Sequence, residues 1–393
     1  DVYKRQLPLM MSRNRKRFRM IRFLHTADWQ IGKPFGGFEP DVRAELRAER
    51  FAVVARIAAL ARDEGCAAIL VAGDAFDDNT IGDRDIVRTL DAMAGFPGPW
   101  VMLPGNHDAA LPVSVWTRIR AGGALPVDLR IADTPDIIML ADGRLAVLAA
   151  PLTRRHEGQD VTDWFDRAET PAGAARVGLA HGAVANRLPE AAESGNPISD
   201  RRAETARLDY LALGDWHGFL EVAPRTVYSG TPEADRFTSN APGHAALVEI
   251  ALPGEGARVR RLDTGRLRWA SLEVFVDNAV EALDEAMATL ADPLRSLVSL
   301  KLAGTVSLHG RMAMQDRLSY WGSRLFALRT DESGLYDRPE AADFERMEIS
   351  GFVRAAMERL RARAEDAADP QREAAAQALR LAYVEHRRQQ AAT

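Results

Sequence analysis

Five short apolar runs in this chain each stop at a polar cluster, and no other feature constrains the fold as tightly. Ile21 to Thr26 runs into Ala27-Asp28-Trp29-Gln30, and Ala67 to Ala72 into Gly73-Asp74-Ala75-Phe76-Asp77. Trp100-Val101-Met102 runs into Leu103-Pro104-Gly105-Asn106-His107-Asp108. Val177 to Ala180 meets His181-Gly182, and Tyr210 to Leu213 meets Gly214-Asp215-Trp216-His217-Gly218. A continuous apolar run is the signature of a strand covered on both faces. Between the first runs, Leu46, Val53, Val54, Ile57 and Leu60 recur at a helical period over Val42 to Glu64, and Asp83 can cap a helix to Ala94. Strands alternating with helices define an α/β protein, whose sites gather at the carboxyl ends of the strands.

The rest of the chain reads as follows. Val113 to Ala121 is helical, and Asp136 to Ala150 is a hairpin turning at Asp142-Gly143. His244 to Ile250 and Ala257 to Leu262 form an antiparallel pair joined by Pro253-Gly254. From Leu267 a βαβ-type unit is expected: strand Leu272 to Val276, helix Ala279 to Leu290, strand Leu297 to Leu302, then a helical stretch near Met312 to Ala327. Beyond Pro339 the sequence is rich in Ala, Arg and Glu and reads as helices broken at Asp369-Pro370. The expected organisation is a leader or artefact over 1–19, a catalytic domain over 20–266, a capping domain over 267–338 and a helical partner-binding region over 339–393. The leader carries the basic run Arg13, Arg15, Lys16, Arg17 and Arg19 and is expected to lie outside the fold.

Length and composition add bounds. A chain of 393 residues supports two or three domains. No run is long enough to span a bilayer. A single cysteine, Cys66, rules out an internal disulfide and fits a reducing, cytoplasmic setting. The net charge of -5 does not advertise a nucleic-acid binder, though a local basic face would suffice for one.

The strand ends collect Asp28, Gln30, Asp74, Asn106, His107, His181, Asp215 and His217. Carboxylates, imidazoles and amides suit a hard-to-borderline divalent ion, Mn²⁺ first, with Mg²⁺, Fe or Zn²⁺ as alternatives. One aspartate can bridge two ions, and Asp74, preceded by glycine, is the candidate. Two ions about 3.5–4 Å apart can share a hydroxide and clamp a phosphate for in-line attack. Taken singly, each residue has a bland alternative: a turn or cap for Asp28 and Asp74, a structural amide for Gln30, a satisfied buried ring for His181, an ion pair for Asp215 and His217. The series as a whole does not.

In these motifs the chain resembles the calcineurin-like metallophosphoesterases, and within them the SbcD-type DNA repair exonucleases, over about Ile21 to Phe237. The resemblance implies a four-layer αββα sandwich with a C-terminal α+β capping domain and helical tail. It implies two metals, one held by Asp28, Gln30, Asp74 and His217, the other by Asp74, Asn106, His181 and Asp215. His107 would orient the phosphate and protonate the leaving group, with Asp108 fixing its ring; Asp77 is a candidate substrate-binding residue. The expected activity is metal-dependent DNA cleavage, exonucleolytic with some endonuclease action, in DNA repair. The implied partners are DNA and a separate SMC-like ATPase docked on the C-terminal helices, where Phe352, Val353, Met357 and Leu360 form a stripe. Dimerisation is a further family expectation.

Two departures matter: the family carries histidine where Gln30 and Asp215 stand. They motivate one alternative, a non-catalytic scaffold with a degraded metal site; a second alternative keeps the enzyme class but changes the substrate, a small-molecule or phosphoprotein phosphoesterase.

Overall fold

The apolar runs become strands because each can bury both faces, one against helices and the other against a second sheet. The computed structural model describes residues 20–123, 127–188, 195–277, 280–337 and 351–391. The expected leader over 1–19 and the segment 339–350 lie outside the described residues. The chain divides into two compact units: one through Asp235 together with Ser239–Arg266, the other Arg236–Thr238 together with the chain from Leu267.

In the first unit β1 (Ile21–Thr26), β2 (Ile69–Ala72), β3 (Trp100–Leu103) and β4 (Leu129–Ile131) precede β5 (Asp136–Leu140), β6 (Leu145–Ala150) and β7 (Ala175–His181). A short pair, β8 (Ala183–Val184) and β9 (Pro197–Ile198), leads to β10 (Tyr210–Gly214), β11 (Leu220–Ala223), β12 (Thr226–Tyr228), β13 (His244–Ile250) and β14 (Arg258–Asp263). Two six-stranded sheets result, ordered β14-β13-β1-β2-β3-β4 and β11-β12-β10-β7-β6-β5. The central strands of each run parallel.

Alternation along each strand sorts side chains into layers. Leu24, Val71, Trp100 and Met102 face α1 (Pro40–Asp63), α2 (Asp83–Met93) and α3 (Val115–Ala121), meeting Val54, Ile57, Leu90 and Trp116. Their neighbours Phe23, Leu70 and Val101 point the other way, onto Val147, Leu179 and Tyr210 of the second sheet. That sheet's outer face, with Leu148, Leu211 and Leu213, is covered by Phe165 and by Ala203 of α4 (Arg202–Thr205). The result is an αββα sandwich. Pro40 opens α1, and Ser114 and Thr117 close a capping box on α3. Both antiparallel pairs expected from the turn residues are present.

In the second unit β15 (Arg268–Asp277), β16 (Ser296–Val306) and β17 (Ala327–Asp337) form a parallel sheet, linked by α5 (Glu281–Ala288) and α6 (Leu308–Gly322). Val276, Leu283, Met287, Leu302 and Met314 fill its core. The strand β17 goes beyond the expected βαβ unit; its Arg329, Thr330, Asp331, Glu332 and Ser333 hide a strand behind polar composition. Then α7 (Gly351–Glu365) and α8 (Arg372–Ala391) pair through Met357 and Leu379, leaving Phe352 84% exposed.

Candidate metal centre

The carboxyl ends of β1, β2, β3, β7 and β10 deliver their loops to one place. The loop after β1 lies alongside the loop after β2 through Asp28 N–H to Gly73 O at 3.0 Å and Gln30 N–H to Asp74 O at 3.1 Å. To aim their side chains inward, Asp28 (φ 54°), Gln30 (51°), Asp74 (52°) and Asp215 (104°) all adopt positive φ, a conformation that costs non-glycine residues about 1–3 kcal/mol each. Two glycines make room. A Cβ on Gly73 would fall 2.3 Å from His181 Nδ1, and one on Gly105 2.2 Å from Asp74 Oδ1.

Asp28, Asp74 and His181, all buried, place one ligand-type atom each within 4.8 Å of the others. His181 donates from Nδ1 to the Ala72 carbonyl at 2.8 Å, which turns the Nε2 lone pair into the cluster. There Nε2 lies 3.7 Å from Asp74 and 3.7 Å from Asp215. The Asp215 N–H donates to both oxygens of Asp28 at 3.2 Å. His217 Nε2 stands 4.0 Å from Asp28 Oδ1. The Asn106 amide end lies 2.8 Å from His181 Nε2 and 3.1 and 3.3 Å from the Asp74 oxygens. The structure therefore brings Asp28, Asp74, Asn106, His181, Asp215 and His217 together, with Gln30 joining Asp74 through its side chain and His107 through its backbone N–H.

The electrostatics are those of a cation site. Burial pushes the Asp28 carboxyl above its usual range. Burial opposes charge on His181, yet Asp74, Asp28 and Asp215 raise its pKa to about 9. Carboxylates crowded in a dry place repel unless a positive charge joins them. The residues thus fit divalent ions: oxygen and imidazole donors converge, and His181 turns its Nε2 inward among them.

One expectation needs correction. Asp108 does not fix the His107 ring. Its carboxylate accepts from Gly105 N–H at 2.6 Å and Phe76 N–H at 3.1 Å, holding the turn. The ring is anchored instead by the Asp77 backbone carbonyl, 2.9 Å from Nδ1. The Gln30 amide meets the cluster at Asp74, donating from Nε2 to Oδ2 at 3.1 Å. Two charged residues that no motif announces also reach the cluster. Asp235 Oδ1 meets His217 Nδ1 at 3.3 Å, and Lys33 pairs with Asp235 Oδ2. Asp235 lies outside every strand-end motif, so only its fold position reveals it.

The sequence profile of the calcineurin-like phosphoesterases matches residues 21–219 of the 393. The chain belongs to that family. Calcineurin-like phosphoesterases are hydrolases of phosphoester bonds that use divalent metal ions. The chain is 26% identical over 273 residues to the SbcD subunit of the SbcCD nuclease of Bacillus subtilis, covering 60% of this chain and 68% of that one. It is 27% identical over 337 residues to the SbcD subunit of the SbcCD nuclease of Rhodobacter capsulatus, covering 76% of each. Among solved structures, TT1561 of Thermus thermophilus aligns at 12% identity with a TM-score of 0.38, over 63% of this chain and 100% of that one. Among the described residues no helix is long and apolar enough to cross a membrane.

Proposed function

We propose that this calcineurin-like phosphoesterase is a DNA-cleaving phosphodiesterase that works with two divalent ions, manganese first among them. The observation that carries the reading is the grouping of Asp28, Asp74 and His181, three buried strand-end residues whose ligand-type atoms lie within 4.8 Å of one another. The names of the two bacterial relatives direct the choice of substrate toward nucleic acid. Asp28, Asp74 and His217 would hold one ion, with Gln30 steadying Asp74; Asp74, Asn106, His181 and Asp215 would hold the other. When bound, the ions supply an activated water and a positive clamp on the phosphate oxygens.

The protein's own groups do the rest. The His107 N–H donates to Asp74 Oδ1 at 2.9 Å and so ties this loop to the shared carboxylate. With Nδ1 held by the Asp77 carbonyl, the His107 ring is left with Nε2 to contact a phosphate oxygen and protonate the departing one. Asp108 keeps the turn in shape. The second unit would serve as capping domain. The helix pair α7–α8, with Phe352, Val353 and Leu381 exposed, would dock an SMC-like ATPase in the cytoplasm, and a homodimer is part of the same reading.

The test is purified protein with Mn²⁺ offered linear duplex DNA, single-stranded DNA, bis(p-nitrophenyl) phosphate and p-nitrophenyl phosphate. DNA degradation lost in His107→Ala supports the reading. Intact DNA alongside rapid monoester hydrolysis overturns the nuclease assignment, and fewer than one bound ion per chain would favour the scaffold alternative.

A further inference from the structure

His217 occupies a place in the cluster that the strand-end pattern explains only halfway. Its Nε2 faces Asp28 at 4.0 Å, but the ring could rotate away, since it is only partly buried. What stops it comes from a loop distant in sequence. Asp235 Oδ1 lies 3.3 Å from Nδ1, and the Asp235 carboxylate is itself buried. Its second oxygen is taken by Lys33, from the loop after β1.

The loop that carries Asp235 is built to stay where it is. Arg50 of α1, 2% exposed, donates to the carbonyls of Glu233 at 2.7 Å and Ala234 at 2.8 Å and to Thr231 Oγ1 at 3.2 Å. The same guanidinium reaches the Trp29 carbonyl, between Asp28 and Gln30, at 3.4 Å. Glu233 is gripped from its other side by Arg56 at 2.9 Å and by the Arg266 N–H at 2.7 Å. A buried arginine thus staples the Asp235 loop to the loop bearing two of the strand-end residues.

We propose that Asp235 is the positioning residue of His217: it accepts the Nδ1 proton, fixes that tautomer and points the Nε2 lone pair at the ion beside Asp28, with Lys33 and Arg50 holding Asp235 in register. The proposal rests on the reading of His217 as a metal ligand. The chemistry is that of a carboxylate behind an imidazole ligand, which settles ring orientation and strengthens the nitrogen as a donor. A bare carboxylate so deep would be costly; the Lys33 ammonium makes it tolerable. On the other side of the centre the Ala72 carbonyl performs the same service for His181, so the two imidazoles are aimed by different devices.

The experiment compares full-length wild type, Asp235→Ala and Asp235→Asn by Mn²⁺ titration, with free ion followed by electron paramagnetic resonance and melting temperature recorded alongside. Wild type should hold two ions. Asp235→Ala should weaken one of them by about 10- to 100-fold and leave the other unchanged. Asp235→Asn, whose carboxamide oxygen still accepts the ring proton, should fall between. The manganese needed for half-maximal DNA cleavage should rise in the same order, with the KM for DNA unchanged. Unchanged affinity for both ions in Asp235→Ala overturns the proposal, as does an equal loss of both ions together with a lowered melting temperature, which is the mark of a structural role alone. If Asp235→Ala does not fold, Asp235→Asn decides, and wild-type affinity there overturns it. A wild type that binds no manganese brings down the metal centre itself, a separate failure visible before any variant is made.

Discussion

The Nδ1 of His107 lies 2.9 Å from the backbone carbonyl of Asp77, whereas the carboxylate of Asp108 is committed to two backbone N–H groups of its own turn. The ring of the expected general acid is therefore oriented by main chain. Replacing His107 with Ala should lower DNA cleavage by roughly 10²- to 10⁴-fold, the usual worth of a positioned proton donor, with manganese binding retained. Asp77→Asn keeps the carbonyl, so steady-state kinetics should find it close to wild type; a loss as deep as that of His107→Ala would mean that the Asp77 carboxylate itself touches substrate.

Asp108 has a different failure mode. Asp108→Ala would orphan the buried N–H groups of Gly105 and Phe76, at about 1–3 kcal/mol for each. Its melting temperature should fall, and Asp108→Asn, which keeps one oxygen, should recover part of the loss. Thermal denaturation of the metal-free protein checks this.

Gln30 donates to Asp74 where the family carries histidine. Supplying an imidazole through Gln30→His should tighten the ion beside Asp28, because a nitrogen ligand replaces a hydrogen-bonding amide. Isothermal titration with Mn²⁺ should show the weaker of two binding events strengthened. An unchanged isotherm would place Gln30 outside the reach of either ion.

His25 offers a pH test away from the cluster. It is fully buried, with Nδ1 2.9 Å from the Tyr210 hydroxyl, and burial lowers its pKa from 6.5 to about 3 against a partial offset from the Leu213 backbone. The unfolded chain binds a proton near pH 6.5 that the folded chain refuses. The stability contributed by this neutral ring is complete above that pH and drains away as pH falls toward 3, by at most about 1.4 kcal/mol per pH unit. Urea denaturation of wild type and His25→Gln at a series of pH values should show the variant with the shallower acid limb.

Arg50 donates to three carbonyls and a hydroxyl on two different loops. Arg50→Met preserves bulk but strands those carbonyls, so a loss of about 1–3 kcal/mol for each group left dry is expected from chemical denaturation.

Much of this was legible in the residues. Runs such as Ile69–Ala72 and Tyr210–Gly214 declare buried strands, and the polar residue that stops each one declares a site, because both signals are local. Less legible were β4 and β17, short or polar strands that depend on a neighbouring edge for their hydrogen bonds. The Asp108 assignment failed for a geometric reason. The resemblance implied contact with the His107 ring, but the turn sends the two side chains to different partners. Asp235 and Arg50 stayed hidden because their importance lies in which loops they join, and single positions do not display that.

The cluster draws Asp28, Asp74 and Asn106 from one sheet and His181, Asp215 and His217 from the other, although among the described residues no strand pairing joins the two sheets. Any cation seated among them would rivet the sandwich across its dry seam. Loading should then raise the unfolding temperature with the logarithm of metal concentration. Stripping the ions should let the seam breathe first at that rim, so a chelator would act as a mild, reversible loosener of the whole molecule.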